Sequence, residues 1–292
     1  MRPLQRICLT ALPALGAAVH LWAKEIETTI SRTDRAPVID GILGDSTWLN
    51  VKPITGFVQY YPEEGLAPSE STELYIAYDE HNFYLAFKCY QSCVDEVRAT
   101  MTQRDSWEND DCVGFSFDTY NAEQEGFLFN INPYGIPCDF IWHWDGYCDN
   151  GWDADLRSKG RIFPDCYCIE AAIPFKSLRM PAKNEQQWGF YALRSIKHKG
   201  EMDVWPARTH RIPNLLAQAA LLKGIEGVEK GRNSALLPYV FSSHTRSPDE
   251  EGRPIESGAD FRCGIIPDLM LDLTLNPDYS QIEADPDRIE LT

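Results

Sequence analysis

The chain has 292 residues, 43% of them hydrophobic, enough for a sizeable core and about two domains by length. Its formal net charge of −17 argues against a nucleic-acid reader, because phosphates would be repelled. A neutral ligand, calcium, or solubility alone are all compatible with that charge.

The N-terminus carries a targeting pattern. Arg2 and Arg6 form a basic start, residues 7–18 are an apolar run broken by Thr10, Pro13 and Gly16, and Ala23 precedes Lys24. Residues 1–23 read as a secretory signal peptide, too short and too interrupted for a membrane span. Export changes the meaning of the cysteines. Cys89, Cys93, Cys112, Cys138, Cys148, Cys166, Cys168 and Cys263 follow the signal peptide, an even set that permits disulfides. Free buried thiols packed as small apolar groups are the alternative. Cys166 and Cys168, two apart in an expected strand, share a side and would not pair easily. No CxxC spacing occurs, so zinc or thioredoxin-type chemistry lacks support.

Residues 24–36 predict a polar lead-in with a short strand over 26–30. Asp40-Gly41 reads as a turn, and Asp45 as the cap of a helical turn bearing Trp48. A strand over 54–61 precedes a hairpin, 72–78 and 83–89, turning at 79–82. Period-two alternation over 113–118 and 127–132 argues for strands with one buried face, with Gly126 and Asn132-Pro-Tyr-Gly135 marking turns. Strands over 167–173 and 188–196 close the unit. Short, regularly spaced strands with few helices predict an all-β fold, a β-sandwich over 24–198. Gly200, Pro206, Pro213, Gly224, Gly227 and Gly231 break residues 199–233, which are read as a connector. Residues 234–242 and 258–276 then read as long strands. Leu269, Leu271, Leu273 and Leu275 alternate with Asp268, Met270, Asp272 and Thr274, as in a half-buried soluble sheet or a membrane barrel strand. Two strands cannot close a barrel, so 234–292 is expected to be the truncated start of a barrel-like domain.

The chemistry-bearing stretch is 104–152, with Trp107, Trp142, Trp144 and Trp152 beside acids that include Asp105, Glu108, Asp110, Asp111, Asp118, Asp139, Asp145 and Asp149. Indoles beside fixed hydrogen-bonding groups suit a sugar, which has apolar C–H faces and a hydroxyl rim. The four tryptophans are therefore stacking candidates, with burial in the core as the alternative reading. Trp142 and Trp144, two apart, share a face if the strand includes both. Arg104, Asp110, Asp111 and Asp139 could fork onto hydroxyls, and Arg194 is a further candidate. The oxygen-rich run 145–155 is the best calcium stretch, with Asp145, Asp149, Asp153 and Asp155 as ligands, although its spacing is not that of an EF-hand and a solvated acidic loop is the alternative. No G-x-S-x-G, H-E-x-x-H, P-loop or G-x-G-x-x-G motif occurs. A glycosidase needs two suitably spaced carboxylates, and 44 acidic residues make their mere presence uninformative. Glu73 and Glu170 read as outer-face acids rather than catalytic ones.

Several runs resemble carbohydrate-binding module family 9. They are Val38-Ile-Asp-Gly with Trp48, Tyr78-Asp79 with Phe83-Tyr-Leu, Asp110 to Asp118, and Ile173-Pro-Phe-Lys-Ser-Leu178, together covering about 37–196. Gln103-Arg-Asp105, Phe129 to Gly135, Leu178-Arg-Met-Pro181 and Asn276 to Asp285 are similar to exported bacterial proteins in which such a module precedes an outer-membrane-type barrel. The resemblance implies a β-sandwich that holds an oligo- or polysaccharide, in relatives between two tryptophans, with structural calcium nearby. It also implies a periplasmic, outer-membrane or cell-surface location. No catalytic residue follows from it. A glycoside hydrolase carrying the module, or a structural periplasmic domain of its own barrel, are the other readings.

Overall fold

The computed structural model describes residues 26–106, 109–228, 234–242, 245–247, 250–252, 255–266 and 269–276. The expected signal peptide and Trp107 lie outside the described residues. The chain divides into two compact units between residues 229 and 230.

The first unit runs β1 (Glu27–Thr29), β2 (Ser31–Arg32), α1 (Ser46–Leu49), β3 (Val58–Tyr61), β4 (Thr72–Tyr78), β5 (Asn82–Tyr90), β6 (Cys112–Asp118) and β7 (Glu125–Ile131). It continues through β8 (Pro137–His143), β9 (Cys148–Asp149), β10 (Arg157–Ile162), β11 (Cys166–Pro174), β12 (Glu185–Ile196), β13 (Glu201–Trp205) and β14 (Ala220–Glu226). The larger sheet has the order β1-β14-β12-β6-β7-β8-β9, with β13 joining β12 to β3. The smaller sheet has the order β10-β11-β5-β4-β2. This is the all-β sandwich that the alternation predicts.

Period-two alternation makes the core. Val113, Phe115 and Phe117 of β6 and Phe127, Phe129 and Ile131 of β7 face inward. They meet Leu74 and Ile76 of β4, Phe83, Leu85 and Phe87 of β5, and Ile169 and Ile173 of β11. Phe115 stacks on Phe129 at 4.9 Å, and Phe83 meets Phe117 edge-on at 4.7 Å. Each such buried side chain contributes roughly 1.5–3 kcal/mol before the entropy of ordering it.

The outer face of the smaller sheet is covered as well. Trp48 packs there on Ala77, Tyr84, Ala86 and Ala172. Glu170, on that face and fully buried, is not solvent-facing as the sequence suggests. It accepts hydrogen bonds from Trp48 Nε1 at 2.6 Å and from the backbone N–H of Asp40, Gly41 and Ile42 at 3.0, 2.7 and 3.2 Å. The Val38–Gly41 turn and Trp48 are thus fastened to β11 by one carboxylate. Asp45 does not cap α1 with its side chain; its Oδ2 accepts Val38 N–H at 2.9 Å.

The connector expected over 199–233 is overturned. β13 and β14 fall within it, and β14 pairs with both β12 and β1. Gly200, Pro206, Pro213 and Gly227 lie between or just after those strands, and Gly224 lies within β14 at φ +95°. Cys89, Cys93, Cys112, Cys138, Cys148, Cys166 and Cys168 are free, so the disulfide option is not taken among them. Burial pushes the Cys89 thiol up to about 11 and the Cys112 thiol to about 12, which keeps them protonated packing groups.

The second unit, described by itself, has β15 (Ser234–Ser242), β16 (Thr245–Ser247), β17 (Glu250–Gly252), β18 (Ile255–Ile266) and β19 (Leu269–Leu275). β15-β18-β19 form an antiparallel sheet, and β16 pairs with β17. No closed barrel is formed among the described residues.

Candidate functional site

The polar residues singled out in the sequence are structural. Asp110 is buried and accepts from Thr100 N–H and Oγ1, both at 2.8 Å, and from Asn132 Nδ2 at 2.8 Å. Asp111 is buried and accepts from Lys197 N–H at 2.7 Å. Arg194 is wholly buried between the sheets, donating to the Ser71 and Tyr90 carbonyls at 3.1 and 2.7 Å and to Gln91 Oε1 at 2.9 Å. These three are spent inside the fold and are unavailable to a ligand.

Arg104 and Asp139 do come together, as an internal pair. Arg104 Nη2 donates to Asp139 and, at 3.2 Å, to the Ala154 carbonyl, while Ala154 N–H donates to Asp139 Oδ2 at 2.7 Å. Arg104 Nε lies 3.4 Å from Asp105 and 3.2 Å from Asp153. Burial raises the Asp139 carboxyl above its ordinary range, and the Ala154 N–H and the guanidinium counteract this.

The calcium set does not converge as expected. Asp145 and Asp149 accept from the backbone N–H of Tyr147 and Gly151 at 3.1 and 3.0 Å, and Asp155 pairs with Lys176 at 3.0 Å. Carboxylate oxygens of Asp105, Asp139 and Asp153 do approach within 4.8 Å of one another. The Arg104 guanidinium pairs with all three and offsets one of their charges.

The described tryptophans do not form one platform. Trp152 lies against the core rings of Phe127 and Phe129, at 4.8 and 5.7 Å. Trp142 alternates with core residue Ile141 and so points to the opposite, outer face of the larger sheet. β8 ends at His143, leaving Trp144 in the following turn, 59% exposed.

That outer face holds a group of residues that sequence reasoning missed. Register places Leu193, Gly114, Asn130 and Cys138 in one row across β12, β6, β7 and β8. Tyr191, Ser116, Leu128 and Phe140 form the next row. The middle of the floor mixes Gly114, Ser116 and Asn130 with Leu128 and Leu193, which pack with Tyr60, Tyr191, Leu215 and Ala219. A Cβ at Gly114 would lie 2.5 Å from Asn130 Oδ1, so glycine is what lets the amide lie over β6. One flank is aromatic and cationic. The Arg208 guanidinium lies 3.8 Å above the Tyr60 ring and 5.3 Å from Tyr191. His210 packs on Tyr60 at 3.8 Å and on Tyr61 at 4.8 Å, and Tyr61 is 47% exposed. The other flank carries half-buried Phe140 and Trp142. The loop 207–219 closes one end: Leu216 lies over Gly126, and Asn214 Nδ2 donates to the Glu123 carbonyl at 3.0 Å. Burial pushes the Tyr191 phenol well up, so it stays a donor. Among the described residues its hydroxyl, Ser116 Oγ and Trp142 Nε1 have no hydrogen-bond partner. The arrangement is a band of the sheet face, a trough in outline, with rings on both flanks and the half-buried Asn130 amide and Arg208 guanidinium between them, the Ser116 and Tyr191 hydroxyls being buried beneath. The missed residues are scattered over β3, β6, β7, β12 and the 207–219 loop, and only the aromatic pair Tyr60-Tyr61 is visible as a local signal.

The sandwich is similar to two structures of a family 9 carbohydrate-binding module from Caldicellulosiruptor kristjanssonii, one in complex with glucose and one with cellotriose. Identity is 16% and 17%, TM-score 0.50 for each, over 68% and 71% of this chain and 94% and 95% of the module. The fold is that of a family 9 module. A Bacteroides uniformis protein whose carbohydrate binding is itself an assignment matches with a TM-score of 0.54 at 11% identity, over 68% of this chain and 98% of its own. No protein-family model and no curated protein matches the chain. At these identities the likeness speaks for the fold and leaves the site to its own geometry.

Proposed function

We propose that the first unit binds an oligo- or polysaccharide in the trough on the outer face of the larger sheet. The observation that carries this is the half-buried Asn130 amide, with exposed Tyr61 and His210 and half-buried Arg208 on one side and half-buried Phe140 and Trp142 on the other. A pyranose laid in it stacks its C–H faces on rings while its hydroxyls meet the Asn130 amide and the Arg208 guanidinium. Trp144, exposed in the turn after β8, is a further stacking candidate. The Caldicellulosiruptor structures, which hold glucose and cellotriose, support this ligand class.

Calorimetric titration with soluble oligosaccharides tests the reading. A broad panel is expected to contain a binder, and Tyr61→Ala or Asn130→Ala is expected to weaken it about tenfold, the equivalent of about 1.4 kcal/mol. Unchanged affinity in both variants, or no binder in the panel, sinks it. We adopt no hydrolase reading. The buried carboxylates Asp110, Asp111, Asp118, Asp139 and Glu170 accept hydrogen bonds within the fold, and Asp203, which has no donor among the described residues, is completely buried opposite Arg194.

A second reading concerns the second unit and rests on its own observation. Leu236, Phe261 and Leu273 are directly opposite one another across β15, β18 and β19, and all three are exposed. Leu271, Leu275 and Val240 lie on the same face by register and are exposed too. An antiparallel sheet with one exposed apolar face suits the first strands of a membrane β-barrel. Together with the N-terminal targeting pattern, this supports an exported envelope protein whose sandwich presents bound glycan close to an outer membrane.

A further inference from the structure

A second hollow lies on the sandwich, at the end of the smaller sheet and on different elements from the trough. It is open, about 350 Å³, and lined by His81, Asn82, Asp155, Arg157, Pro174 and Lys176. Its walls are fixed by backbone pairing. Asn82 and Pro174 are opposite one another across β5 and β11, Arg157 is opposite Ala172 at the start of β10, and Phe175 N–H donates to the His81 carbonyl at 2.9 Å. Asp79 sets the hairpin turn by accepting the N–H groups of His81 and Asn82, both at 2.8 Å.

One network decides what Asn82 offers. The Tyr84 hydroxyl spends its proton on Asp79 Oδ2 at 2.6 Å, so it must accept from Asn82 Nδ2, 3.1 Å away. That orientation leaves Asn82 Oδ1 as the acceptor of the amide. Pro174 contributes an apolar ring. The charges are unlike the rest of the molecule. Against 44 acidic and 27 basic residues in the chain, this hollow gathers an arginine, a lysine and a histidine around one aspartate. Lys176 is shared with Asp155 at 3.0 Å, whereas Arg157 forms no ion pair among the described residues. An unpaired arginine fork is matched by a carboxylate. Asp155 and the Asn82 oxygen, both acceptors on the same rim, want hydroxyl donors and would oppose a dianionic phosphate.

We propose that this hollow binds a uronic acid residue: the carboxylate on Arg157 with Lys176 behind it, ring hydroxyls on Asn82 Oδ1 and Asp155, and the C–H face on Pro174. It rests on the carbohydrate reading for its ligand class only, and it makes acidic glycans the preferred substrate of the sandwich. The volume has room for at least one monosaccharide.

The test is a calorimetric or NMR titration of the intact chain with glucuronate and galacturonate, with glucose and inorganic phosphate as comparisons. A uronate is expected to bind at least tenfold more tightly than glucose or phosphate. Arg157→Gln is expected to remove about tenfold of that affinity, and Lys176→Gln less. Both residues are exposed, so neither variant threatens the fold. Tyr61→Ala is expected to leave uronate binding unchanged. Uronate affinity that ignores Arg157→Gln, phosphate binding as tightly as uronate, or no uronate binding overturns the proposal. The two sites fail separately. Neutral oligosaccharides lost with Tyr61→Ala while uronate is indifferent to Arg157 leaves the trough and removes the hollow; the converse leaves the hollow and removes the trough.

Discussion

Asp203 shows how a residue that looks ordinary in sequence acquires its character from the fold. It sits in β13 opposite Arg194, completely buried, and neither of its oxygens has a hydrogen-bond donor among the described residues. Burial, and then the charge of Glu201 two residues earlier, push its carboxyl up to about 7. A folded-state pKa above the unfolded one means that the native state holds the proton more tightly. The stabilisation is complete below the ordinary aspartate value and drains away as pH rises through about 7. Urea midpoints of the wild type are therefore expected to fall between about pH 4 and pH 7, and Asp203→Asn to flatten that fall and raise the midpoint at the alkaline end. A wild-type midpoint as pH-dependent as before in the variant would assign the effect elsewhere. The sequence made Asp203, Asp110 and Asp139 visible as acids, but a carboxylate's role depends on which distant donors reach it. Asp110 is met by Thr100 and Asn132, Asp139 by Arg104 and Ala154, and no local pattern marks those meetings. The family-like motifs were legible for the same reason in reverse. Asn132 bonds its own turn, accepting Tyr134 and Ile136 N–H at 3.1 and 2.9 Å, so its requirement is written within a few residues.

At the scale of elements, strands with a clean period of two were legible and strands without one were not. β6 and β7 announce themselves through Phe115, Phe117, Phe127 and Phe129. β10 reads Arg-Ser-Lys-Gly-Arg-Ile, an edge strand whose charges hide it, and β13 and β14 were masked by the glycines and prolines around them. β10 is nevertheless tightly seated. A Cβ on Gly160 would strike the Pro133 carbonyl oxygen and lie 2.7 Å from Gly135 N, while Gly135, at φ +84°, would strike Lys159 and Gly160 in return. Two glycines allow the Asn132–Gly135 turn to lie directly on the strand. Both obstacles are backbone and cannot rotate away. Gly160→Ala is thus expected to destabilise by roughly 1–3 kcal/mol in urea unfolding, the usual range for overpacking. Gly44→Ala, whose added methyl meets only Ile42 at 3.9 Å, should stay within about 0.5 kcal/mol. Equal effects at the two positions would mean the turn and strand separate more easily than their contact implies.

For the molecule as a whole, the question is what covers the apolar face of the second unit. The row Leu236–Phe261–Leu273 belongs to a sheet whose opposite face holds Leu237, Asp260 and Thr274 in register, so the two sides differ in character as a membrane strand's sides do. If the face meets lipid, the intact chain should float with phosphatidylcholine vesicles in a density gradient, where a neutral surface excludes simple charge attraction. Leu273→Lys places a charge in the apolar row and is expected to lower the floating fraction, since a lysine at the bilayer midplane costs about 2–4 kcal/mol and less near the interface. Thr274→Lys, one residue along and on the other face, should leave flotation unchanged. The pair separates lipid contact from a general effect of added charge, because both variants gain the same lysine on the same strand. Equal losses in both, or a wild type that stays at the bottom of the gradient, would show that the leucines meet protein instead of acyl chains, and the sandwich would then have to reach its glycan without a membrane barrel beside it.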